Sequence, residues 1–559
     1  MRGLDDPARR ALLAAAATLP LAACHRIDPA PYAGAWVGAA HERGHRLREL
    51  APGPPQAASW PSAVGSSDNG RQRRAAVVVV GAGIAGLAAA RALMRAGIDD
   101  VHVFDLEDAP GGNSRAHVMG GMACPLGAHY LPVPGEQAGE VAEYLAELGL
   151  SRIENGRTVF DERTLCHAPQ ERLFIAGQWV DGLLPPVDAL PAGERSETQR
   201  QYQHFHALVE SAGRGGAFCV PTARALPSTQ TAALDRITFA QWLDAQALTA
   251  PALRWYLDYC CRDDFGAGAS LVSAWAGLHY FASRHGFHAP GLDAEDRDGV
   301  LTWPQGNAWL STRLAAGLGE RWHPGCVALR LREGRHDASL ALWNVQALSL
   351  ETWTAGHVVL ALPLFVAARL FEAAPGALLA AAGALQHAPW LVANLQLKEP
   401  LLDHGGAAPA WDNVMMDSPT LGYVDAMHQS LRPHAGPTVL TVYWALGGNS
   451  AEELRRQRIR LLDSSWAEWS GSVVHELARP HPDITAKIER LDLMRYGHAM
   501  AVPTPGVRSH PALRALAQAR GRVRFAHSDL SGYSVFEEAF FHGDRVGRDL
   551  ALSLLARRR

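Results

Sequence analysis

The sequence predicts an α/β protein in which a discontinuous, Rossmann-like dinucleotide-binding domain is interrupted by a mixed α+β substrate domain. Three observations predict it. The β-branched run Val77-Val78-Val79-Val80 ends in the glycine-rich turn Gly81-Ala82-Gly83-Ile84-Ala85-Gly86, the pattern of a buried parallel strand entering a phosphate-binding turn. A helical stretch from Ala82 to Ala96, stopped by Gly97, returns to a second strand over Val101 to Asp105, which completes one βαβ unit. Further strand patterns recur far downstream, at Ala328 to Arg332 and His357 to Leu362, after an aromatic and mainly helical region from Asp235 to Phe281. A chain of 559 residues is also too long for one compact core, so two folding units are expected.

The N-terminus comes first. Arg9-Arg10 precede the apolar run Ala11 to Leu19, which is too short to span a bilayer and reads as the core of a twin-arginine export signal. The ending Leu21-Ala22-Ala23-Cys24 resembles a bacterial lipobox, which would make Cys24 a lipid anchor and place the protein in the periplasm or cell envelope. The twin-arginine route carries folded proteins, which suits an enzyme that acquires its cofactor before export. Residues 25–74, with breakers at Pro52-Gly53-Pro54-Pro55 and Ser66-Ser67, read as a tether plus a packed N-terminal extension.

In the glycine turn each residue type has a reason. Gly81 permits the tight turn, Gly83 lets a pyrophosphate approach the backbone, and Gly86 lets helix and strand pack closely. Ile84 and Ala85 then begin a helix whose free N–H groups face the phosphates. Asp105 ends the second strand 24 residues after Gly81, where an acid would accept hydrogen bonds from an adenosine ribose, in NAD and FAD proteins alike. A net charge of -4 and the lack of a basic stripe argue against nucleic acid as a partner. The cysteines beyond Cys24 show no zinc-like spacing, and no metal site is expected.

The segment Asp105-Leu106-Glu107-Asp108-Ala109-Pro110-Gly111-Gly112-Asn113-Ser114-Arg115 resembles the flavin amine oxidase superfamily, which includes monoamine and polyamine oxidases, protoporphyrinogen oxidase and phytoene desaturases. The resemblance implies FAD. It places Asp105 and Leu106 at the adenosine, Gly111, Gly112 and Asn113 along the pyrophosphate and ribityl, and Arg115 at a phosphate or the flavin. Pro125-Leu126-Gly127-Ala128-His129-Tyr130 is similar to the family segment whose backbone passes the flavin ring. Trp303 to Leu310 resembles the return to the FAD domain, and Val327 the adenine contact that follows it. Phe525-Ala526-His527-Ser528-Asp529 looks like the C-terminal motif in which Asp529 would meet the ribityl. Val535 and Phe536 then lead into the closing helix beside the flavin N1 and O2 edge. No Cys follows Cys326, so the resemblance implies non-covalent FAD.

The implied domain layout is an export signal at 1–24, an extension at 25–74, FAD-domain segments at 75–140, 298–365 and 496–559, and substrate-domain segments at 141–297 and 366–495. The family's flavin-side lysine has no clean counterpart, because the strand Trp390 to Lys398 puts Val392 in its place. Candidate catalytic residues are His129, Tyr280, Asn394 and Tyr533. Asp263, Asp264, His279 and Tyr280 are the candidate substrate contacts, with Asp263 or Asp264 meeting a cation. The leading expectation is hydride transfer from an amine, with a polyamine as the narrower form, to FAD that oxygen or a membrane quinone reoxidises. The alternatives are C–C dehydrogenation and a lipid-anchored binding protein with structural FAD.

Overall fold

The computed structural model describes residues 31–49, 72–289, 299–432 and 434–558. The predicted export signal, Cys24 and most of the predicted tether lie outside these residues.

Two sheets organise the chain. The seven-stranded first sheet is centred on Gln72–Val80, which pairs in parallel with Val101–Phe104 on one side and Ser349–Leu360 on the other. Val77, Val78 and Val79 have no exposed surface, since helices or strands cover both faces, and this explains the unbroken apolar run. The strand begins at Gln72 instead of Ala75, because the long partner strand supplies backbone bonds to Gln72, Arg73 and Arg74. Cys326–Glu333 and Ala338–Asn344 add an antiparallel meander, and Val523–Phe525 joins Ser349–Leu360 in parallel.

Helix Ile84–Arg95 is alanine-rich and lies against the closing helix Phe536–Arg558. The contact depends on two glycines. A Cβ on Gly543 would stand 2.0 Å from the Ala85 carbonyl oxygen, and one on Gly547 would stand 2.5 Å from that of Ala89. The two ends of the dinucleotide domain are thereby packed together.

The eight-stranded second sheet runs in the order Ala33–Trp36, Ile488–Val502, Gln386–Leu397, Thr438–Ala445, Tyr423–Asp425, Asp412–Met415, Glu171–Ile175 and Gln178–Asp181. A helical layer, including Arg195–Gly213, Pro251–Phe265 and Ala274–Tyr280, packs on it through Phe205, Phe239, Trp275, Trp390, Val392 and Tyr443. Two boundaries differ from expectation. Ala33–Trp36, predicted as part of an extension, is an edge strand of this sheet, held in register with Arg490 to Leu493. Strand Ile488–Val502 also continues past the predicted boundary at 495, because Gln386–Leu397 pairs with it as far as Val502.

Candidate active site

The glycine turn forms a cradle with the second glycine pair. Gly83 and Gly111 make a parallel bridge, the Gly111 N–H donates to the Ala82 carbonyl at 2.8 Å, and a Cβ on Gly112 would stand 3.2 Å from Gly83 Cα. Gly81 has φ +102, and a Cβ on Gly86 would stand 1.8 Å from the Gly81 carbonyl oxygen, so neither position accepts a side chain. Gly83 differs. A Cβ there would find only Gly112 Cα, at 3.9 Å, so it faces open space at the start of helix Ile84–Arg95. That helix has no side-chain cap and no acidic residue in its first turn, which leaves its N–H groups and dipole for an anion. Asp105 accepts from the Ala82 N–H at 2.7 Å and the Glu107 N–H at 2.8 Å, yet keeps partial accessibility although protein surrounds it. An anion cradle next to a shielded carboxylate fits a dinucleotide.

The remaining family-matched segments gather around this cradle. Leu106 packs beside Val327, Leu329 and Trp343, which puts the two predicted adenosine-side residues at one corner. Gly127 is held against the Asn113 loop: the Ala128 N–H donates to the Asn113 carbonyl at 2.9 Å, and a Cβ on Gly127 would stand 2.2 Å from that oxygen. Tyr443 and Tyr496 hydroxyls donate to the Gly127 and Leu126 carbonyls at 3.0 and 2.8 Å, fixing the segment that leads to His129. Arg115 is tied by its guanidinium to the carbonyls of Gly112 and Gly38, at 2.9 and 2.6 Å. Val535 is half-buried and Phe536 buried at the start of the closing helix.

Asp529 departs from its predicted role. It has no exposed surface, and its carboxylate accepts from the Leu364 N–H at 2.8 Å and pairs with His387 Nε2 at 3.0 Å, so the protein itself takes up the predicted ribityl contact. Burial favours its protonated form, but His387 and His527 outweigh that and hold the carboxyl well below its usual range. A depressed folded pKa contributes stability above the unfolded value of about 4, and that stability is lost as pH falls. Asp529→Ala is expected to lose about 3 kcal/mol at neutral pH, read by urea unfolding.

Acidic and aromatic side chains converge between the helical layer and the second sheet. Asp412 and Glu171 are register partners on adjacent parallel strands. Like charges side by side destabilise a sheet, and burial beside Glu171 and Asp263 pushes the Asp412 carboxyl toward its neutral form. Asp263, on helix Pro251–Phe265, approaches from the other wall and hydrogen-bonds Tyr130. Asp263, Asp412, Tyr130, Tyr280 and His129 all remain partly accessible while protein surrounds them, as side chains lining an internal cavity do. His129 stacks on Tyr443 at a centroid distance of 4.2 Å and lies 5.4 Å from Trp411. Burial pushes the Asp263 carboxyl up to about 7, with Asp264 adding to it, and pushes Asp412 well above the usual range with Asp263 and Glu171 adding. Neither Asp263 nor Asp412 has an ion-pair partner among the described residues. Burial depresses His129 to about 3, so its imidazole is neutral.

Asp264 is committed elsewhere. Arg284 lies 3.6 Å from it and donates to Glu537 at 2.7 Å, so the buried Asp264 faces an arginine of the protein, while burial raises its carboxyl to about 6. Three other predicted residues also fall outside the cavity wall. His279 is 1% exposed and shares a 3.0 Å hydrogen bond with the Tyr533 hydroxyl, itself 1% exposed, so both belong to the packed core. Asn394 is fully buried, donates to the Pro125 carbonyl at 3.1 Å and accepts from Thr441, which makes it a brace between sheet and loop. Tyr280 and His129 stay on the wall. Sequence reasoning missed Glu171, Asp412, Trp411, Tyr443 and Arg284; the adjacent Trp411-Asp412 was the one local signal, an aromatic next to an acid at a strand start.

A family model described as flavin containing amine oxidoreductase matches residues 84–551. The protein named flavin-containing monoamine oxidase AofH, from Mycobacterium tuberculosis (strain CDC 1551 / Oshkosh), is 27% identical over 290 residues, 51% of this chain. The match spans 56% of that relative's own length. Among solved structures, a double mutant of putrescine oxidase superposes with a TM-score of 0.64 at 17% identity, covering 86% of this chain and all of that one. Cyclohexylamine oxidase from Brevibacterium oxydans IH-35A superposes with a TM-score of 0.61 at 18% identity, covering 86% of this chain and 99% of that one. At these identities the superpositions speak for the fold.

Proposed function

The chain belongs to the family of flavin-containing amine oxidoreductases, and from that premise we propose that it oxidises a cationic amine, most narrowly a diamine or polyamine, in the acid-lined enclosure. The observation that carries this reading is the approach of Asp263 to Asp412, the register partner of Glu171, with no ion pair to Asp263 or Asp412 among the described residues. Bound FAD, held without a covalent bond by the Gly81–Gly86 and Gly111–Gly112 cradle and Asp105, would supply a two-electron acceptor for the hydride on the carbon beside the amine nitrogen.

The chain's own residues do the rest. Asp263, raised to about 7, is able to take a proton from an entering ammonium group near neutral pH, and Asp412 with Glu171 holds a positive charge farther along the substrate. His129, Tyr130, Tyr443 and Trp411 offer aromatic faces to the cation and exclude water. A neutral His129 adds no repelling charge. Lys398 is exposed and Lys487 is bound to Asp483, so no lysine of this chain reaches the cavity, and Val392 is buried in the strand. We further propose oxygen or a quinone as the acceptor and a lipid-anchored place in the cell envelope, on the strength of the N-terminal pattern alone.

The test is anaerobic titration of the FAD-loaded protein with monoamines, diamines and polyamines, and with polyenes and porphyrinogens. Amines are expected to bleach the flavin, with diamines effective at lower concentration than monoamines of equal length. The missing lysine favours one second reading, C–C dehydrogenation, and bleaching by polyenes or porphyrinogens alone would establish it in place of amine oxidation. Bleaching by nothing would leave FAD structural.

A further inference from the structure

We propose that the N-terminal segment Ala33 to Arg43 is a clasp that retains the cofactor by pinning the loop Asp105–Arg115 to the substrate sheet. The proposal rests on the FAD reading of that loop. One end of the segment is anchored in the second sheet: Ala33–Trp36 pairs with Arg490 to Leu493, and the Ala35 N–H donates to Asp492 at 2.9 Å. A Cβ on Gly34 would stand 1.9 Å from the Leu491 carbonyl oxygen, so the strand lies tightly against its partner.

The other end grips the nucleotide loop through three residues, Gly38, Ala40 and Arg43. Gly38, at φ +85, turns its carbonyl to Arg115 Nη1 at 2.6 Å. The Ala40 N–H, at the start of helix His41–Glu49, donates to both carboxylate oxygens of Glu107 at 3.1 Å. Arg43 Nη1 donates to the Leu106 carbonyl at 2.7 Å, and its guanidinium engages Asp108 in a bidentate pair at 2.9 and 3.0 Å. Every one of these partners lies between Asp105, the ribose-side acid, and Arg115, beyond the Gly111–Gly112 pair that forms one wall of the cradle.

The physical consequence follows from connectivity. A dinucleotide buried between the Gly81–Gly86 turn and the Asp105–Arg115 loop leaves only when that loop lifts. Lifting it breaks the Arg43–Asp108 pair, the Glu107 contact and the Arg115–Gly38 bond together, because one rigid segment carries all three. Residues 33–43 therefore act as positioning residues that slow release without touching the reacting atoms. An exported enzyme, away from the cytoplasmic supply of cofactor, is where slow release matters most.

The experiment is charge reversal across the outer pair, with FAD release from the loaded protein followed by recovery of free-flavin fluorescence. Arg43→Asp and Asp108→Arg are each expected to release FAD roughly three- to tenfold faster, and the double variant is expected to recover most of the loss. The melting temperature of the flavin-free protein is expected to move by no more than about 2 °C, since an outer ion pair contributes little to global stability. If Arg43→Asp does not fold, Arg43→Gln removes the charge alone and is read the same way. Unchanged release in the single variants, a double variant as fast as the singles, or faster release fully matched by a fall in flavin-free stability would overturn the clasp. A folded parent that binds no FAD would overturn the clasp and the cofactor reading together.

Discussion

A Gly83→Val variant is expected to fold as the parent does and to be purified colourless, with affinity for FAD reduced by about a hundredfold or more. The reason lies in two properties of one residue. Its backbone, at φ -70 and ψ 180, is open to any amino acid, and a Cβ would meet only Gly112 Cα at 3.9 Å. The added methyl groups would instead fill the space at the helix N-terminus that a pyrophosphate needs. Gly81→Val and Gly86→Val serve as contrasts, because a Cβ would stand 2.3 Å from the Ala361 carbonyl oxygen in the first and 1.8 Å from that of Gly81 in the second. Those two are expected to lose folded protein altogether. Circular-dichroism melting together with flavin absorbance separates the cases, and a Gly83→Val protein that keeps its flavin would remove the cradle from the account.

Asp263→Asn and Asp412→Asn are expected to raise KM for a cationic substrate at least about thirtyfold, with a smaller change in kcat, because each removes a charge that binds substrate and transition state alike. Asp263→Asn carries a second expectation, of opposite sign for stability. The folded carboxyl is raised to about 7, while an unfolded one titrates near 3.9, so the folded protein holds a proton that the unfolded chain releases. Parent stability therefore falls as pH rises from about 4 through 7. The asparagine variant has no such loss and is expected to be more stable than the parent at pH 8, by on the order of 1–3 kcal/mol, read from urea unfolding at pH 5 and 8. Weaker substrate binding with greater stability is the signature of a functional buried charge.

What was legible in the sequence follows the range over which its physics acts. Val77 to Gly86, Asp105 and the Gly111–Gly112 pair form a local pattern, in which strand, turn and helix occupy consecutive residues, and the structure brings them together as read. The acid pair Asp412 and Glu171 was invisible because parallel strand pairing joins residues far apart in the chain. Asp263 and Asp264 were equivalent on paper, yet successive helical residues point about 100° apart, so one faces the cavity and the other Arg284. The same rotation separates Tyr280, on the wall, from His279, in the core. Asp529 was assigned by motif, with His527 two residues away in the same segment, whereas its other histidine, His387, could be recognised only once the strand Gln386–Leu397 was in place.

The most direct test is calorimetric binding of a diamine to the dithionite-reduced, FAD-loaded protein, which can hold an amine without oxidising it, in buffers of differing ionisation heat. The carboxyl cluster predicts that a dication expels protons as it binds, with more released at pH 6 than at pH 9, and that a diol of equal length binds far more weakly. Equal binding of diol and diamine, or diamine binding with no proton released at either pH, would contradict a cavity built to receive a cationic amine.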